Sequence, residues 1–158
     1  MVEFDLVIRG GKIATASDTF HADIGIKDGK IAALANYLAK GSVELDAKGK
    51  IVAPGGIDAH CHLDQPMTDG TVMADGFESG TKSAAFGGTT TIIPFACQMR
   101  GQTLRDAVQD YHQRSDGEAY IDYAFHLIVS DISTGPNTTL PRSVSNSSSP
   151  CFSNFSSF

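Results

Sequence analysis

The chain lacks most of the features that mark membrane, secreted and nucleic-acid-binding proteins. No apolar run in its 158 residues approaches the about 18 needed for a membrane-spanning helix. Basic residues are the minority, with 12 Lys and Arg against 18 Asp and Glu and a net charge of -6. That leaves no electrostatic footprint for nucleic acid. The first residues, Met1-Val2-Glu3-Phe4-Asp5, hold acid where a secretion signal holds base. Cysteines are few and odd in number: Cys61, Cys97 and Cys151. Such a set fits reduced thiols in a cytoplasmic protein better than a disulfide framework. The length suffices for one domain with a real core.

What is present falls into three regions. Residues 1–50 read as short strands with tight turns. In Phe4 to Arg9, Phe4, Leu6 and Ile8 alternate with Asp5, Val7 and Arg9, and Gly10-Gly11 reads as a turn before Lys12 to Thr15. His21 to Lys27 alternates again, Asp28-Gly29 is a two-residue hairpin signal, and Lys30 to Leu34 is the return strand. With a further piece at Val43 to Leu45, the spacing predicts a small antiparallel sheet, half of a β-sandwich.

Residues 51–133 alternate strands with helices, the pattern of parallel βα units. Ile51 to Asp58 is the first strand. Asp75 and Glu78 form a capping box for a helix whose buried stripe is Phe77, Thr81, Ala84 and Ala85, stopped by Gly87-Gly88. Thr89 to Pro94 is a β-branched strand. Thr103 caps a second helix, with Asp106 near its third position and Leu104, Ala107, Val108 and Tyr111 at buried-face spacing. Ile121 to Val129 is the third strand. Residues 134–158 hold eight Ser, three Pro and three Asn, with Arg142 as the one charged side chain. Too little apolar surface is available there to offset chain entropy, so a Ser-rich disordered tail is expected. Its three Asn-x-Ser/Thr matches, at Asn137, Asn146 and Asn154, are read as accidents of composition.

The chemistry concentrates in Ala53-Pro54-Gly55-Gly56-Ile57-Asp58-Ala59-His60-Cys61-His62-Leu63-Asp64. Side chains at i and i+2 of a strand share a face. His60 and His62 can therefore converge on one metal ion while Cys61 points away. Asp58 shares their face and could orient an imidazole, or be a plain polar residue at the strand base. His126, with Asp122 and Ala124 on its face, reads as a packing histidine rather than a ligand. His112 and His21 read as surface residues. Asp64 has two readings, a residue at the site mouth or a loop cap. Gly87-Gly88 reads as a helix stop and turn rather than a phosphate loop.

Three blocks carry a family resemblance. They are Pro54 through Pro66, the run Gly76-Phe77-Glu78-Ser79-Gly80-Thr81 with Gly87-Gly88-Thr89-Thr90-Thr91-Ile92-Ile93, and Ile121-Asp122-Tyr123-Ala124-Phe125-His126. Asp5-Leu6-Val7-Ile8-Arg9-Gly10-Gly11 also looks like the family's start. Residues 1 to about 133 thus resemble the cyclic amidohydrolases, in the dihydropyrimidinase/hydantoinase branch. The resemblance implies a (β/α)8 barrel with a β-sandwich built from both chain ends. It implies a binuclear zinc site with His60 and His62 as ligands, homo-oligomers such as tetramers, and pyrimidine catabolism. The reaction implied is hydrolysis of a cyclic amide in a dihydropyrimidine or hydantoin ring, through water activated by zinc. Asp64 after Leu63 differs from the Arg usual in dihydroorotases. Cys61 departs from the more frequent Thr.

A complete barrel takes about 250 residues, and residues 51–133 supply about two and a half βα units. The family's bridging lysine, further histidines and catalytic aspartate have no counterpart in residues 134–158, which contain no Lys, His, Asp or Glu. The expectation is therefore the N-terminal part of a hydantoinase-like enzyme followed by an unrelated tail, inactive by itself. No catalytic residue is assigned, and substrate-binding residues stay unknown. The alternatives are a non-catalytic short isoform that binds full-length subunits, and part of an allantoinase-like amidohydrolase.

Overall fold

A computed structural model describes residues 4–67 and 71–131. The Ser-rich region and its Asn-x-Ser/Thr matches lie outside the described residues. The fold is mixed α/β, in two compact units that divide between Pro54 and Gly55.

The first unit is a sheet of five strands, β1 Leu6–Ala14, β2 Thr19–Lys27, β3 Lys30–Ala35, β4 Val43–Asp46 and β5 Ile51–Val52. Their order is β3-β2-β1-β4, with β5 also on β1. The Asp28-Gly29 turn forms as expected, with both residues at positive φ, 51° and 73°. That is the backbone a twisted two-residue hairpin needs. The turn expected at Gly10-Gly11 does not form. β1 runs straight through it, and the register slips between Ile8 and Gly11. Gly10, at φ 63°, absorbs the slip as a bulge.

Nor is the sheet purely antiparallel. β4 and β5 pair parallel to β1. Ile51 and Val52 belong to this sheet and not to the strand that bears the histidines. The expected strand Ile51 to Asp58 is therefore two strands, broken at Ala53-Pro54-Gly55.

Phe4, Val7 and Leu38 form one core cluster, and Ile13, Ala22 and Ile24 form a second. An ion-pair network ties β1 to its neighbours. Arg9 donates to Asp23 at 2.7 Å and to the Leu38 carbonyl at 2.7 Å, and it also pairs with Glu44. Burial pushes the Asp23 carboxyl up. Hydrogen bonds from Arg9 and from the Gly10 and Leu38 amides outweigh that and hold it below the usual carboxylate range.

The second unit is a parallel sheet with two helices. Its elements are β6 Gly56–Cys61, α1 Phe77–Phe86, β7 Thr89–Cys97, α2 Leu104–Ser115, β8 Asp122–Tyr123 and β9 His126–Ile128. β7 is central, with β6 on one side and β8 and β9 on the other. Leu63, Phe77, Ile92, Ala96 and Tyr111 build the core between sheet and helices. No helix among the described residues is long and apolar enough to cross a membrane.

The expected third strand, Ile121 to Val129, is interrupted at Ala124-Phe125. β8 and β9 keep one register on β7, Ile92 facing Tyr123 and Phe95 facing His126. Pro94 sits opposite the gap, and a proline has no N–H to give the ladder.

α2 begins as expected. The Asp106 amide donates to the Thr103 hydroxyl at 3.1 Å, and that hydroxyl donates to the Asp106 carboxylate at 2.7 Å. Leu104, Ala107 and Tyr111 are buried. α1 begins differently. Gly76 holds the cap position without a side-chain cap, and Asp75 accepts from the Ser79 hydroxyl instead. Phe77 and Thr81 are buried, but Ala85 is exposed. Gly88, at φ 87°, turns the chain into β7.

Candidate metal centre

β6 delivers His60 and the chain just past its end delivers His62. Their rings lie together, with centroids 5.5 Å apart in a T-shaped arrangement. Two imidazoles on one tetrahedral zinc, with Zn–N near about 2 Å, place their centroids about 5 Å apart. The separation of the two rings is close to that value. Cys61 points away and packs against the core of the unit. Burial pushes its thiol above its ordinary value.

The ring of Phe95, from β7, floors the pair. It stacks on His62 at 5.1 Å and meets His60 edge-on at 4.7 Å. His126 lies beside the same ring at 5.1 Å. Its Nε2 reaches the Ala59 carbonyl at 3.0 Å. The His62 Nδ1 is bound to the Gln65 side-chain oxygen. An amide oxygen only accepts, so Nδ1 carries the proton and Nε2 keeps its lone pair for a metal.

The Asp58 carboxylate accepts from the His60 backbone amide at 3.0 Å rather than holding an imidazole. Asp64 is a cap, and a distant one. Its carboxylate accepts from the Phe77 amide at 2.9 Å, which supplies the acceptor that Gly76 cannot. Its backbone sits at φ 47°, in a region that Asp tolerates. Its carbonyl accepts from Arg114 of α2 at 2.7 Å. A cavity of about 460 Å³ beside this junction is lined by Asp64, Gly76, Phe77, Glu78, Arg114 and Glu118, with no histidine in its wall. His112, expected at the surface, is half-buried against Phe125 at 5.1 Å. His21 is exposed on β2 as expected.

Sequence reasoning missed Gln65 and Phe95 as parts of this centre. Gln65 is within the quoted motif, three residues after His62. Its contact could have been sought there. Nothing local marks Phe95. Among the described residues no group of three or more His, Cys, Asp or Glu side chains is placed to hold a metal. The centre offers two imidazoles, where a catalytic zinc usually takes three protein ligands.

No family model matches the chain. Similar proteins do. A D-hydantoinase of Streptomyces coelicolor is 48% identical over 134 residues, 80% of this chain and 28% of that protein. A dihydropyrimidinase of Rattus norvegicus is 38% identical over 78% of this chain and 25% of its own. An allantoinase of Bacillus licheniformis is 34% identical over 85% of this chain and 30% of its own. The crystal structure of dihydropyrimidinase from Brevibacillus agri superposes with a TM-score of 0.76 at 46% identity, covering 80% of this chain and 28% of that one. The chain thus spans about a quarter to a third of the length of these relatives. Its mixed α/β units share the fold of hydantoinases over the matched residues. The chain belongs to the dihydropyrimidinase/hydantoinase branch of the cyclic amidohydrolases, with allantoinases as more distant relatives.

Proposed function

We propose that His60 and His62 are two ligands of the zinc centre of a cyclic-amide hydrolase, and that this chain alone does not turn substrate over. The observation behind it is the imidazole pair at one-ion spacing, with the His62 tautomer set by Gln65. The names of the relatives point to hydantoin and dihydropyrimidine rings as the substrate class. When bound, zinc would supply a water of pKa about 7 and polarise the ring carbonyl. His60 and His62 would bind it, Gln65 would orient His62, and Phe95 would shield the inner side of both rings from water. The two units would then be part of a β-sandwich and part of a (β/α)8 barrel. Cytoplasmic location and assembly with further copies belong to the same reading.

The inactivity rests on ligand number. Two imidazoles leave a zinc short of the usual three protein ligands, and residues 134–158 add no Lys, His, Asp or Glu. Incubating the purified chain with zinc and either hydantoin or dihydrouracil tests this. Ring opening no faster than with zinc alone is expected. Turnover above that background would overturn it.

A further inference from the structure

β6 does not pair evenly with β7. Asp58 faces Ile92 and Cys61 faces Pro94, so three steps on β6 span two on β7. Ala59 and His60 lie in this bulge. Bulges are uncommon in parallel pairs, and where they occur they re-aim side chains. The bulge takes Ala59 and His60 out of the one-to-one register with β7, and such a stretch is held in shape by contacts beyond the ladder.

Two side chains supply them. The His60 amide donates to the Asp58 carboxylate at 3.0 Å. The Ala59 carbonyl meets the His126 Nε2 at 3.0 Å, reached across β7 from β9. A carbonyl oxygen only accepts, so Nε2 of His126 carries the proton. The ring of His126 is steadied against Phe95, the same ring that floors His60 and His62.

We infer that His126 is a positioning residue, which with Asp58 clamps the Ala59–His60 bulge and so aims the His60 and His62 imidazoles at one point. This rests on the reading of that pair as a metal centre. His126 binds no metal in this account. It acts through the backbone between Asp58 and His60.

The test uses the whole chain in two states. In the metal-free protein, NMR ring-to-ring contacts between His60 and His62 report the aim directly. His126→Phe keeps a ring on Phe95 and removes the donor, whereas His126→Gln keeps an N–H donor. The His60–His62 ring contacts should disappear in His126→Phe and persist in His126→Gln. Zinc titration should show affinity about tenfold lower in His126→Phe and near the parent value in His126→Gln, the size of change typical for groups that support a ligand. Ring contacts that survive in folded His126→Phe would overturn the proposal, whatever zinc does. If the parent chain binds no zinc but loses ring contacts in His126→Phe, the positioning role stands and the metal reading falls. Should His126→Phe not fold, Asp58→Ala removes the other half of the clamp. Unchanged ring contacts and unchanged His60 amide exchange there would overturn the clamp, and their loss would support it.

Discussion

The two helices of the second unit start in opposite ways. α2 carries its own cap, with Thr103 and Asp106 satisfying each other within one turn. α1 has a glycine at that place and borrows Asp64 from 13 residues upstream. The borrowed carboxylate belongs to the residue two after His62, so the start of α1 and the loop of the candidate metal centre share one anchor. Arg114 of α2 locks the same residue through its carbonyl. The cap of α2 can change without touching the centre. The cap of α1 cannot.

Substitutions can sharpen or break this contrast. The largest effect is expected at Phe77, the buried first residue of α1. Phe77→Ala should cost about 3–5 kcal/mol through the cavity it leaves, read by urea unfolding. Asp64→Ala comes next, at about 2 kcal/mol, at the upper end for a lost cap because the Phe77 amide is partly buried. NMR shifts at His62 and Gln65 should move with it. Thr103→Ala should cost about 1 kcal/mol and leave those shifts in place. If Asp64→Ala proves no worse than Thr103→Ala and leaves His62 unmoved, the shared anchor is wrong.

The smallest effect is expected at Tyr111. Among the described residues its buried hydroxyl makes no well-formed hydrogen bond and lies against Cys97, and burial there pushes the phenol far above its ordinary value. Tyr111→Phe should stay within about 0.5 kcal/mol of the parent or gain stability, since only a weak contact with Cys97 is lost and a poorly met buried polar group is removed.

The same contrast explains what was legible in the sequence. Signals that act within about four residues came through: the Asp28-Gly29 hairpin, the Thr103 cap, the glycine stop of α1 and the shared face of His60 and His62. Those that depend on a neighbouring strand or a distant loop did not. The true start of β6 was hidden because Ile51 and Val52 are as apolar as a buried strand yet pair with β1. The break between β8 and β9 follows from Pro94, on a different strand. The α1 cap lies 13 residues before Phe77, at the far end of the β6–α1 connection, so the nearest acid, Asp75, looked like the cap. Of the candidate centre, the two imidazoles were readable. Phe95 and the His126 contact were not, because parallel pairing alone brings them there.

The central claim is that His60 and His62 act together on one zinc ion. Calorimetric titration of the intact chain with zinc, beside His60→Ala and His62→Ala, tests it most directly. The account predicts one zinc bound by the parent chain and affinity lower by about tenfold or more in each variant. Equal zinc binding by the parent and His62→Ala would contradict it.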